Sequence, residues 1–410
     1  MRIRAFQGLR PREDVVERVA SLPYDVVTTE EARELASANP LSMLHVVRPE
    51  IDLPIGSDPY SNEAYARAVE NFRRMQGEEV LVRETEPVLY LYEQVMGSHR
   101  QRGIAALCFV EDYEDDRIKK HEKTRRDKED DRTRLTSDLS ANPGPVFLAY
   151  RDRPEIDRLV EGIARDEPLV DFVTPDAVTH RVWRISDPAP FVDAFQPVPS
   201  FYVADGHHRA ASAARVGKER AAANPRHTGE EDYNAFLCVL FPGSQLNILP
   251  YNRLVLDLNG LTPEALLARV RTVAEVEANG PPQPHRTGEI SMYLDGAWYR
   301  LRFRPDDGLD PAARLDVSLL QESILAPFLN IADPRTSERI TFVGGIRGVE
   351  ALTGPVDAGK AAVAFAMHPV AIDELMSIAD ANQIMPPKST WFEPKLRSGL
   401  FIHTFEPAAE

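Results

Sequence analysis

Asp205-Gly206-His207-His208-Arg209 is the stretch of this chain best suited to holding an anion. It follows the apolar run Phe201-Tyr202-Val203-Ala204 and precedes an alanine-rich run through Ala214. The first run reads as a short buried strand and the second as a helix, with Gly206 supplying the backbone freedom for a tight turn between them. Backbone N–H groups at the helix start, joined by two imidazoles and a guanidinium, would face a phosphate. An ordinary solvated cap is the plainer reading, because Asp is a favoured N-cap residue whatever the function. Against it stands the cost of setting so many polar groups beside a core strand without a ligand.

A second constellation runs from Arg117 to Arg134, where nine Lys or Arg meet five Asp or Glu in a chain whose net charge is −16. A positive island in a negative protein suits a small anionic substrate, although charge runs are usually solvated helix faces. Glu122, between Lys119, Lys123 and Arg125, can serve as a base toward a hydroxyl nucleophile, and the cations would offset charge on a transferred phosphoryl group. The His121-Glu122 pair is no zincin site, because Arg125 stands where the second His would be.

The third cluster, Met385 to Gly399, carries Lys388, Ser389, Thr390, Trp391 and Lys395 among prolines, and reads as a lid or substrate loop or as a surface loop anchored by Trp391. Pro23-Tyr24-Asp25, His45 with Arg48, and the Gly344-Gly345-Ile346-Arg347-Gly348 turn are weaker signals. Standard signatures are missing: no P-loop, no dinucleotide fingerprint, no kinase catalytic loop, no nucleophile elbow and no CxxC pair.

The elements that must position these groups follow from the pattern. From Pro145 onward, apolar strand runs alternate with helical ones, which predicts an α/β or α+β body with a mixed sheet. Earlier, strands are expected at Arg2 to Phe6, Met43 to Val47, Val88 to Val95 and Ile104 to Val110, the last two as a hairpin through GSHRQRG. Helices are expected after Thr28 and over Asn62 to Met75. The organisation expected is an α/β body over 1–250 holding the phosphate loop and an α+β region over 251–410, with 279–287 as a linker or long loop.

Composition narrows the class. The 410 residues can bury a full core, and Cys108 and Cys238 sit in apolar strand-like runs, as expected of buried thiols in a reducing compartment. The amino terminus has no apolar signal region and no run reaches membrane-spanning length, so a cytoplasmic protein without a membrane partner is expected. The acidic balance argues against nucleic acid as a partner, and against nuclease-like action on DNA.

With these residues in view, the strand, the five-residue turn and the alanine-rich helix resemble the signature of the ParB/sulfiredoxin-like superfamily, most closely its free serine kinases. There this motif binds phosphate, and a His-Glu pair similar to His121-Glu122 supplies the catalytic base. Almost the full length also resembles a bacterial and archaeal family catalogued as a domain of unknown function and marked by IKKHEKT, ADGHHRAASA and MPPKSTWFEPKLRSGLF, here residues 118–124, 204–213 and 385–401. Sulfiredoxins carry a cysteine where this chain has His207, so their sulfinic-acid chemistry is not implied.

The resemblance implies a ParB/sulfiredoxin-like core with added N- and C-terminal segments. It also implies a phosphotransferase acting on a small hydroxylated metabolite, with free L-serine the first choice of acceptor and O-phosphoserine the product. Glu122, with His121 and Asp205, would form the catalytic set. Gly206, His207, His208, Arg209, Lys119, Lys123 and Arg125 would hold the phosphates of ATP, ADP or pyrophosphate, with Mg²⁺ bridging donor oxygens. The alternative is a nonenzymatic protein that binds a nucleotide or phosphate and regulates.

Overall fold

The computed structural model describes residues 1–303 and 308–405. The chain forms two compact units. The first comprises 1–120, 124–246 and the segment from Pro394 onward; the second comprises 121–123 and 247–393.

The first unit is built on an eight-stranded mixed sheet. Its order is Ile118–Lys119, Phe201–Asp205, Val146–Tyr150, Ala235–Pro242, His99–Phe109, Leu89–Met96, Val178–Ile185 and Val170–Val173. Phe201–Asp205 runs parallel to Ile118–Lys119 and antiparallel to Val146–Tyr150, and the pairing with the latter shifts register between Val203 and Asp205. Because Val146–Tyr150, Ala235–Pro242 and most of Phe201–Asp205 are buried on both faces, they read as continuous apolar runs. Residues of Pro154–Ile163, Ala189–Phe195 and His207–Ala223 pack with sheet residues in one core cluster. A second cluster gathers Tyr24 from a turn, Phe72 from Asn62–Gly77 and Leu135 from Arg126–Leu139.

The alternation expected after Pro145 is observed element by element. The helix after Thr28 spans Thr29–Ala36 and starts with a capping box between Thr28 and Glu31. Asn62–Gly77 is the expected amphipathic helix, and Leu89–Met96 with His99–Phe109 is the expected hairpin. Its turn is only Gly97-Ser98, shorter than the polar GSHRQRG run suggests. Arg102 reaches Glu93 at 2.6 Å, so part of that polar run belongs to the ladder.

Two strand expectations are corrected. Met43 to Val47 holds a helical turn, Leu44–Val47, whose Leu44 N–H donates to Ser42 Oγ at 3.2 Å. A short apolar run does not by itself distinguish a strand from a buried turn of helix. Arg2 to Phe6 forms only isolated bridges, Arg4 with Leu107 and Phe6 with Val88, because single residues pair with different segments.

The second unit carries a six-stranded antiparallel sheet ordered Glu275–Ala278, Ala297–Arg302, Glu289–Leu294, Val363–Ala366, Tyr251–Val255 and Ile340–Gly344. Residues 279–287 form a loop between two strands of this sheet. The glycine turn after Ile340–Gly344 is set by packing. A Cβ on Gly344 would lie 2.7 Å from the Trp391 ring, and Gly345 donates its N–H to Pro250 O at 2.7 Å.

Candidate functional site

The 201–205 strand delivers Asp205 to a sheet end, and Gly206 reverses the chain with φ of +90° before a helix of 17 residues, His207–Ala223. That φ lies in the left-handed region glycine tolerates best. Gly206, the residue that opens the helix, has no side chain with which to cap it, and the first-turn N–H groups lie beyond the reach of the helix's own carbonyls. Ala210, Ala213 and Ala214 are buried against the core, and Ala211 is half-buried. Farther along, a Cβ on Gly217 would come 2.6 Å from Tyr233 O, so the small residues set how closely the helix lies.

Asp205 is the electrostatic centre of the loop. Its Oδ2 lies 3.4 Å from Arg209 Nη2 and 3.6 Å from Lys395 Nζ, and both cationic side chains are largely buried. Two cations and the positive end of a helix thus converge around one carboxylate, an arrangement that favours an anion. Lys119 lies on the strand adjacent to Phe201–Asp205, paired with Tyr202, and Arg151 stands 5.7 Å above the Tyr202 ring.

Arg209 folds beneath the turn. Its Nη1 donates to Pro145 O at 2.6 Å, and its Nε would lie 2.9 Å from a Cβ on Gly206. That Nε is buried and has no hydrogen-bond partner among the described residues. The guanidinium therefore ties the loop to the start of Val146–Tyr150 as well as adding charge. His207 is buried, and His208 is half-buried. The N–H of Arg125 donates to His208 Nε2 at 3.0 Å, so a neutral His208 carries its proton on Nδ1. The Arg125 side chain pairs with Asp127 at 2.8 Å.

The basic tract divides. Arg126–Leu139 is a helix bearing i,i+4 pairs such as Arg134 with Asp138 at 3.5 Å, the solvated-face pattern, but Arg132 turns inward over Tyr24 at 4.0 Å and pairs with Asp131. Tyr24 thereby joins the core, where burial raises its hydroxyl pKa. His121, Glu122 and Lys123 belong to the second unit. There His121 is buried, its carbonyl accepts Met385 N–H at 2.8 Å, and its Nε2 is 3.4 Å from Thr390 Oγ1. Glu122 is half-buried and Lys123 exposed.

The third cluster is shared between the units. In the second, Trp391–Glu393 pairs with Asn247–Leu249, Trp391 Nε1 donates to Glu393 at 2.7 Å, Ser389 Oγ donates to Pro386 O at 2.6 Å, and Lys388 stands 5.5 Å above Tyr251. In the first, Lys395 reaches Asp205 and Arg397 is buried against Asp176 at 2.5 Å. His45 and Arg48 are structural: they pair with Asp52 at 2.7 Å and Glu50 at 2.9 Å. Sequence reasoning missed His180, Asp176 and Arg397 as a set. Only Arg397 carried a signal, its place in the C-terminal motif.

Among the described residues no helix is long and apolar enough to cross a membrane. No curated protein matches the chain. Solved structures similar to it include a C-terminally truncated SbnI from Staphylococcus aureus, at 13% identity and TM-score 0.41, covering 72% of this chain and 85% of that one. A free serine kinase in complex with AMP matches at 10% identity and TM-score 0.40, covering 73% and 91%. A conserved hypothetical protein from Pyrococcus furiosus matches at 12% identity and TM-score 0.37, covering 72% and 93%. The family model for DUF1015, a protein of unknown function, matches residues 3–318, and the chain belongs to that family.

Proposed function

We propose that this protein is a phosphotransferase that moves a phosphoryl group from a phosphate donor to the hydroxyl of a small metabolite, free L-serine first among them. The observation that carries the proposal is the loop itself: a left-handed glycine opens a long helix whose start is flanked by Asp205, Arg209 and Lys395. Such a start binds phosphate oxygens through backbone N–H groups, and the cations strengthen that binding as charge builds on the transferred group.

In this reading Glu122 accepts the acceptor's hydroxyl proton as its oxygen attacks the terminal phosphorus. The bond from phosphorus to the bridging oxygen breaks, and the remainder of the donor leaves with that oxygen's electron pair. The chain leaves Lys119 at the sheet end that carries Asp205, because the two strands are parallel, and it returns at Arg125 beside His208. Glu122 is the middle one of the five residues between Lys119 and Arg125 in the sequence. Asp205, the one carboxylate of the loop, is a suitable oxygen ligand for Mg²⁺, which would supply further neutralisation of the donor phosphates. His207, Arg209 and Lys395 would orient the donor, with Lys119 and Lys123 adding positive potential.

The test is phosphorus NMR on the purified protein with Mg²⁺, L-serine and, in separate tubes, ATP, ADP and pyrophosphate. Growth of a phosphoserine resonance with one donor establishes the reaction and its donor together. A folded protein that leaves all three donors and serine unchanged overturns serine phosphorylation.

A further inference from the structure

Within the first unit a cavity of about 140 Å³ is lined by residues outside the Asp205–Arg209 loop. Its wall includes Ser21, Ser42 and Thr174, all buried, together with Arg397, which is only 2% exposed. Leu35 lines it and is half exposed, which places it at the mouth.

Arg397 is held in an unusual way. Its Nε donates to His180 Nε2 at 3.2 Å, and its Nη2 donates to Thr174 Oγ1 at 3.0 Å and to both oxygens of Asp176 at 2.7 and 2.5 Å. Its Nη1 donates to nothing among the described residues. Since His180 accepts at Nε2, its proton sits on Nδ1 and points to the Tyr92 hydroxyl oxygen, 2.7 Å away. Burial pulls the His180 pKa down to about 3, so the ring adds no charge. The guanidinium is thus fixed through two of its three nitrogens.

The charges around the cavity balance. Arg18 and Arg397 are matched by Glu17 and Asp176, so a net anion or cation would unbalance the set whereas a zwitterion would not. The size narrows the guest further: an apolar cavity of about 150 Å³ accommodates benzene, with six heavy atoms.

We propose that this cavity binds a small free α-amino acid, with its carboxylate on Arg397 Nη1 and Arg18 and its ammonium group toward Asp176 and Glu17. The site uses none of the residues assigned to phosphoryl transfer and stands whether or not that activity is found.

The experiment is isothermal calorimetry on the full chain with L-alanine, which has no hydroxyl to phosphorylate. Saturable binding at one site is expected. Leu35→Trp, which closes the mouth from an exposed position, and Arg18→Glu, which reverses a rim charge, should each weaken it about tenfold or more. Circular dichroism establishes that both variants fold, and phosphoserine formation, where present, should be unchanged in them. Absence of saturable alanine binding overturns the proposal. So does binding that both folded variants leave within about twofold of wild type.

Discussion

Lys395 Nζ lies 3.6 Å from Asp205 Oδ2, joining the C-terminal motif to the Asp205–Arg209 loop. The lysine is only 6% exposed, and a buried ammonium is costly unless an anion faces it. Lys395→Met should weaken pyrophosphate binding by about tenfold or more while the fold persists, as read by calorimetry beside circular dichroism. Unchanged affinity in the folded variant would remove Lys395 from the anion site.

Gly206→Ala tests the turn. A side chain at φ of +90° is strained, and its Cβ would meet Arg209 Nε at 2.9 Å. Urea denaturation should show a loss of about 1 to 3 kcal/mol, with phosphate affinity falling in parallel. A variant as stable as wild type would mean that the turn relaxes without effort.

Glu122→Gln separates chemistry from binding. Removing a general base lowers turnover by about 10²- to 10⁴-fold, while donor affinity measured by calorimetry should stay near wild type. Equal loss of both would assign Glu122 to donor binding instead.

Acid should destabilise the first unit before ordinary carboxylates titrate. His180 and His403 are buried and neutral, with pKa values pulled by burial to about 3 and about 4 against about 6.5 unfolded. Their contribution is fully present above about pH 6.5 and is lost as pH falls toward the folded values, each at about 1.4 kcal/mol per pH unit. Asp316, raised to about 7 by burial, acts oppositely: the folded state holds its proton more tightly, so its contribution grows as pH falls through that window. His180→Gln should therefore flatten the decline of unfolding free energy between pH 6.5 and pH 5, by roughly one histidine's slope. An unaltered slope would show that His180 is protonated without cost.

The sequence alone was enough to place Asp205 to Arg209 on a strand, a glycine turn and a helix, because their types encode local geometry. A positive-φ glycine, an apolar run and close-packing alanines each act within a few residues. The helix after Thr28 was equally legible, since its capping box is complete within four residues. The Met43 to Val47 segment was not, because its hydrophobicity suits either a strand or a buried turn and only tertiary packing chose.

The same limit governs the charges. Spacing alone does not say that Arg209 bends under Gly206 to Pro145, or that Arg132 turns inward over Tyr24 while Arg134 stays on a solvated face. Nor could it bring Lys395 to Asp205 or Arg397 to His180. Those pairings depend on a chain that returns to the first unit at Pro394. Local backbone preference is short-ranged and written in neighbouring residues, whereas the partner of a buried charge is decided by which distant segments the folded core brings within a few ångströms.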